Sequence, residues 1–361
     1  MIGDANEAAR SIAHLAAGLA ETFPTDANAI FSPASIGIAL GLLAGGATGE
    51  TEAELAAALG WQAPFAERQS DMRALLEALR ADRSIAITAR AFGAASLPVA
   101  TAFSSLARAV YDAPFDLLDF RDRDHALVFI NRWIAEQTLG RIPQLLERSD
   151  VSPDTELVLV SAAAFAGRWA LPFPVGATRP GVFHTAQGVA IEAPFMRLEA
   201  TIGYEDLGSF EVIELAYASS TYVATLVLPR SKDRVPLARA LVLPRPTTSM
   251  LVNLAPPRFT ARTRIDLRTA LEAVGVGRLF SVDAELTGIA PRLQVGGAVH
   301  EANVEVDEGG TVATAATAMI SVRCAPRGVR VVADRPFAFV IRETATDLIA
   351  FAGQVANPAA G

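Results

Sequence analysis

Apolar residues recur at helical spacing through the first third of the chain. Ala8, Ile12, Leu15 and Leu19 share one face of residues 5–22, which predicts an amphipathic helix there. Pro33 directly follows Ser32, and a proline early in a helix after a serine cap is a start signal for a second helix running to Gly45-Gly46. Thr51 to Leu59 predicts a third, closed by Gly60, and helical patterns return at 67–80, 100–111 and 124–139. The first 120 residues therefore read as mainly helical.

From about residue 155 the pattern changes to strands. Leu157 to Phe165 is an apolar run broken only by Ser161, as expected of a strand buried on both faces. Residues 211–216 and 221–228 predict two more, the second stopped by Pro229. A short helix is expected over 267–274, ended by Gly275. Residues 298–306 alternate, with Ala302, Val304 and Val306 on one side and Asn303 and Glu305 on the other. Two near-continuous apolar strands, 337–342 and 348–355, end the chain. Helices followed by strands point to an α+β fold with large sheets. With no Gly/Ser linker, charge block or repeat to divide residues 1–361, a single domain is expected.

One segment fits neither pattern. Gly309 to Val322 carries no charge and no proline, and lies between two predicted strands ahead of the cationic stretch Arg323 to Arg330. A connection of that length is unusual in a compact domain unless it has a function or is disordered. Its Thr, Val, Ile and Ala content suits a strand buried in a sheet. On composition alone, a plain strand after a Gly-Gly turn fits equally well.

Composition narrows the classes. The 361 residues are 51% hydrophobic and 19% charged, ample for a large core. The longest apolar stretches, 36–47 and 157–167, fall short of the roughly 18 residues a spanning helix needs. Asp4 and Glu7 precede Arg10, so no basic signal-peptide region is visible and the chain as it stands reads as cytoplasmic. A trimmed mature form would look the same, which leaves an extracellular setting open. A net charge of −8 argues against nucleic acid or an anionic membrane as partner. Cys324 is the one cysteine, so no disulfide framework or cysteine zinc site is expected.

Catalytic groups are scarce. No serine lies in a Gly-x-Ser-x-Gly elbow. His300-Glu301 begins like a zinc-protease motif, but Val304 stands where the second histidine would be. Neither a metal, a cofactor nor an enzyme activity is expected. His300 reads as a core histidine and His14 as a surface one, while His125 and His184 show no partners in the sequence.

The segment's context resembles a known family. Val304-Glu305-Val306-Asp307-Glu308-Gly309-Gly310-Thr311, followed by an Ala/Thr run, resembles the reactive-loop hinge of inhibitory serpins. The likeness extends across the chain in the family's order. Asn28 to Ile36, with Gly45-Gly46-Ala47 and Thr51, resembles the entry to its second helix. Asn131-Arg132-Trp133-Ile134, with Thr138, Gly140 and Ile142, is similar to the helix across its main sheet. Leu157 to Ala162, with Phe165, Gly167 and Trp169, resembles the central strand and the strand top. Asp334-Arg335-Pro336-Phe337 and Gly353 to Pro358 resemble its closing strands.

That resemblance implies about eight or nine helices packed on three mainly antiparallel sheets, with an exposed reactive loop and hinge over about 307–330. It implies suicide inhibition: a serine or cysteine protease cuts the loop, stays acyl-linked, and the freed segment inserts as a strand in the main sheet. The protein would be a monomer whose partner is that protease, held in a covalent complex. The hinge maps to Glu308, Gly309, Gly310, Thr311, Val312, Ala313, Thr314, Ala315, Ala316 and Thr317, with Thr311 the first residue to turn inward on insertion. Ser32, Ser35, Ser161 and His300 would form a polar cluster under the opening sheet, and Trp169 marks the strand top. Ser161 replaces the family's usual Asn, and Ala166 and Glu301 its usual Lys, which implies a weaker cluster and an altered opening threshold. Counting sixteen residues past Glu308 puts the reactive bond at Cys324–Ala325, with Arg323–Cys324 as the second choice. A non-inhibitory serpin acting as a binding or chaperone-like protein is the alternative. Such members carry bulky or charged hinge residues, unlike Thr311 and the Ala/Thr run.

Overall fold

The structure is a computed structural model that describes residues 2–62, 65–230, 236–311 and 328–360. Among them are eight α-helices: α1 Ile2–Ala20, α2 Pro33–Ala44, α3 Gly49–Ala58, α4 Phe65–Ala81, α5 Thr101–Tyr111, α6 Arg123–Gln137, α7 Leu237–Leu241 and α8 Leu267–Ala273. The strands are β1 Ala29–Phe31, β2 Ile85–Ala94, β3 Asp116–Leu118, β4 Leu157–Phe165, β5 Arg179–His184, β6 Ala190–Phe195, β7 Leu198–Asp206 and β8 Phe210–Ala216. They continue as β9 Tyr222–Pro229, β10 Ser249–Ala255, β11 Phe259–Asp266, β12 Gly297–Val306, β13 Val329–Val332, β14 Phe337–Glu343 and β15 Ile349–Val355.

Three sheets result. Eight strands run in the order β1-β15-β14-β9-β8-β7-β10-β13, five in the order β11-β12-β4-β2-β3, and β5 pairs with β6 alone. The α+β architecture with three mainly antiparallel sheets is as expected. The helical reading of the first 120 residues misses β2, which crosses the five-stranded sheet between α4 and α5.

Helix α2 explains how the two large sheets are joined. Ser32 caps it by accepting from the Ser35 N–H, Pro33 occupies its first turn, and all twelve of its residues are buried. A helix apolar all round belongs inside a core. It touches β2 and β4 on one side and β15 on the other. Strand β4 is buried along its whole length because its two faces serve two cores. Leu157, Leu159, Ala163 and Phe165 join the main core, while Val158, Val160 and Ala162 lie under Ile130 and Ile134 of α6. No helix among the described residues is long and apolar enough to cross a membrane.

Candidate functional site

The five-stranded sheet has a seam. Strand β4 pairs antiparallel with β2, and β12 antiparallel with β11, but β4 and β12 pair parallel with each other. Seven residue pairs hold that seam, from Gly297 opposite Val158 to Asn303 opposite Ala164. In its middle His300 stands opposite Ser161.

Those two residues are hydrogen-bonded across the seam, Ser161 Oγ to His300 Nδ1 at 2.8 Å. The Ser32 backbone N–H donates to His300 Nε2 at 3.0 Å. With Nε2 accepting, Nδ1 must carry the proton, so His300 donates to Ser161. Ser161 in turn donates to Ser35 Oγ at 2.7 Å, and the Ser35 hydroxyl reaches the carbonyls of Thr88 at 3.1 Å and Ala162 at 3.2 Å. Ser32 Oγ donates to the Ala350 carbonyl at 2.7 Å. All four side chains are fully buried, and burial pushes the His300 pKa down to about 3. The structure thus brings together the four residues assigned to this cluster. The single Ser161 hydroxyl reaches both Ser35 and His300.

At the top of the seam the chain leaves β12 and turns back. The Asp307 carboxylate accepts from Gly309 N at 2.8 Å and Gly310 N at 3.1 Å, closing the turn. Glu308 is buried, and its carboxylate takes a fork of hydrogen bonds from Arg258 Nε, at 2.7 and 2.9 Å, and another from the Thr178 hydroxyl. Burial opposes its charge, but these donors outweigh burial and hold the Glu308 carboxyl below the usual carboxylate range. Trp169 stacks on Tyr217 with centroids 4.5 Å apart, donates from Nε1 to the Asp307 carbonyl at 3.0 Å, and from its backbone N to the Gly309 carbonyl at 3.0 Å.

Thr311 differs from expectation. It does not wait in solvent for insertion: it is fully buried, its N–H donates to the Gly167 carbonyl at 2.7 Å, and its Oγ1 lies 2.8 Å from the Tyr217 hydroxyl. The exposed hinge implied by the resemblance therefore does not include Glu308 or Thr311. Gly310 is required by close approach, since a Cβ there would stand 2.1 Å from the Gly167 carbonyl oxygen. The remaining hinge residues, Val312, Ala313, Thr314, Ala315, Ala316 and Thr317, lie outside the described residues, as do Arg323, Cys324 and Ala325 of the reactive-bond assignments.

Sequence reasoning misses Arg258, Thr178 and Tyr217. Each meets the hinge from more than 45 positions upstream, and no local motif flags any of them. The buried Glu301, which replaces a usual Lys, is paired with Arg262 at 2.6 Å, and Ala166 is half-buried beside the strand top.

Comparison with known proteins gives the family. Residues 10–358 match the family described as Serpin (serine protease inhibitor). A serine protease inhibitor of Cyanea capillata is 31% identical, over 92% of this chain and 93% of that one. Plasminogen activator inhibitor 1 of Mus musculus is 30% identical, over 92% of this chain and 87% of that one. Among solved structures, Serpin48 of Tenebrio molitor, described as a highly specific serpin, is 26% identical with a TM-score of 0.85, covering 99% of this chain and 97% of that one. Human thyroxine-binding globulin shares the fold, at 24% identity and a TM-score of 0.87 over 98% of this chain and 99% of that one. The chain belongs to the serpin family.

Proposed function

We propose that this serpin inhibits a serine endopeptidase by suicide-substrate trapping, acting as a single-domain monomer, with cysteine endopeptidases as a second target class. The protease's nucleophile attacks the carbonyl of residue 324, an acyl bond forms as the peptide bond to Ala325 breaks, and Ala325 leaves with a free amine. The severed stem then enters between β4 and β12 before water cleaves the acyl bond.

The parallel seam carries this reading. The chain leaves β12 at the top of the seam and reverses, so a strand continuing from Thr311 runs antiparallel to both neighbours. Its entry replaces one parallel pairing of seven residue pairs by two antiparallel ones, and antiparallel pairing is the more stable per residue. From Val312 to Ala318 the loop sequence is made of small and β-branched residues, and no proline stands before Pro326 to break a ladder. The names of relatives such as plasminogen activator inhibitor 1 support protease inhibition at the level of the family.

The test is a panel of serine and cysteine proteases mixed with the protein and run on denaturing gels. A susceptible protease is expected to give a band near the summed mass that survives boiling, and the released C-terminal peptide is expected to begin at Ala325 or Cys324. Cleavage of the loop by every protease with no such band would exclude trapping and leave the binding or chaperone-like role.

A further inference from the structure

We infer that the groove beside the loop's return into the fold is a second docking surface for the target protease, and that its Arg197 and Arg330 select proteases with an acidic surface segment next to the active-site cleft. This rests on the protease-inhibitor reading and adds to it which proteases are chosen.

A groove of about 990 Å³ is lined by residues of β5, β7, β10 and β13, and by Gly328, where the described chain resumes after the loop. The proposed reactive bond puts Ala325 three residues before Gly328, and three residues of chain span at most about 11 Å. A protease domain of about 200 residues has a radius of gyration of about 16 Å. A protease held on that bond therefore has the groove within reach of its own surface.

Strand pairing fixes what the groove presents. Glu199, Asn253 and Arg330 lie level on β7, β10 and β13. Side chains alternate along an extended chain, so Arg197 shares the face of Glu199. Arg197 and Arg330 are both exposed, and no ion pair among the described residues engages either. Other arginines in this part of the molecule are paired: Arg258 with Glu308, Arg245 with Glu214 and Arg335 with Asp334. Of the two acids lining the groove, Asp334 is thus already engaged. Glu199 is separated from Arg330 by Asn253, two strand spacings or roughly 10 Å, too far to neutralise it.

The chain on either side adds to the sign. From Gly309 to Ala333 the sequence carries Arg323, Arg327 and Arg330 and no acid, in a protein whose net charge is −8. An acidic partner surface is repelled by the molecule as a whole and attracted at this face, and such complementarity selects among partners and speeds their encounter. Val182, exposed on β5, and Val332 on β13 give the groove apolar surface for the contact that follows.

The second-order rate of loop cleavage tests this, measured with the protease of the panel that cuts the loop fastest. Arg197→Glu combined with Arg330→Glu is expected to slow cleavage about tenfold at low salt. At 1 M salt, where charges act over only about 3 Å, the variant and wild type are expected to converge. Arg197→Gln combined with Arg330→Gln is expected to fall between them. Attraction between the loop's own arginines and the protease cleft is common to all three proteins and cancels from the ratios. Both side chains are exposed and unpaired, so neither variant is expected to lose stability. Equal rates at low salt, or a loss that persists undiminished at 1 M salt, would overturn the docking surface. Cleavage is read whether or not the acyl bond is trapped, so failure of the inhibitor reading, a cut loop with no covalent band, is a different result.

Discussion

His300 is held neutral by the bonds it makes as well as by burial. Its Nε2 accepts from Ser32 N–H, so protonating that nitrogen would set a donor against a donor. In the folded protein its pKa lies near 3, whereas an exposed histidine titrates near 6.5. Between those values the unfolded chain binds the extra proton, so stability rises with pH across the window. The contribution is complete above about pH 6.5 and is lost progressively as pH falls toward 3. Lowering the pH from 7.5 to 5 is expected to cost the resting protein about 2 kcal/mol through this group. Denaturation midpoints of wild type and His300→Asn across that range check it. The variant starts from a lower midpoint because it breaks the cluster, so the slope is the readout. Parallel slopes would mean that His300 does not titrate in this window.

Among the elements, β4 and β12 carry both the fold and the proposed function. A strand entering between them separates His300 from Ser161 by two inter-strand spacings, roughly 10 Å, which no side chain of either length bridges. Their 2.8 Å hydrogen bond must break. Two antiparallel bridges at the hinge, Gly310 to Arg168 and Thr311 to Val306, set the register of the incoming strand: continued down the seam, they bring position 317 level with Ser161 and His300, on the same face as Thr311. Thr317 lies outside the described residues, yet its hydroxyl would be the group placed to rejoin the separated pair. Thr317→Val is expected to leave the resting protein's melting unchanged and to lower the stability of the loop-cleaved form by about 1–3 kcal/mol, the cost of leaving buried polar groups unpaired. Thr314→Val, on the opposite face, serves as the control. Equal melting of the two cleaved variants and cleaved wild type would refute the register.

The legibility of these elements in the sequence tracks their burial. Helix α2 and strand β4 are readable because both are buried on all sides and their ends carry Ser32-Pro33 and Gly167. The alternation of β12 is readable because one face is core and the other half-open. Strand β2 is passed over among helices although its Ile85, Ile87, Ala89 and Ala91 alternate at even spacing, the period of a strand. Strand β7 does carry a signal that the predicted strands leave out, the buried Leu198, Ile202 and Tyr204 at even spacing. Strand β5, Arg179-Pro180-Gly181-Val182-Phe183-His184, carries turn residues and cannot be read as a strand from propensity. The Glu308–Arg258 pair joins positions 50 apart, and nothing in a single sequence matches one cation to one carboxylate over that distance.

For the molecule as a whole, the docked hinge changes what a charged substitution at Thr311 does. An arginine cannot occupy that fully buried site beside Tyr217, because its guanidinium stays charged and burying it unpaired costs at least several kcal/mol. Thr311→Arg is therefore expected to fold with its hinge displaced before any protease arrives. The scissile bond is untouched, so the loop should still be recognised and cut. Insertion would then lag behind hydrolysis of the acyl bond, and the protease would leave, giving turnover with little covalent complex. On the proposed mechanism cleaved wild type would gain a new strand with about a dozen ladder hydrogen bonds, on the order of 10 kcal/mol in sum, which is comparable with the stability of an entire domain. Its melting temperature should rise well above that of the uncleaved protein, while cleaved Thr311→Arg should show little of the gain. Calorimetry of both proteins before and after loop cleavage, beside their gels with protease, decides the matter. Equal trapping and an equal rise in melting temperature would mean that the strand does not enter the sheet through Thr311.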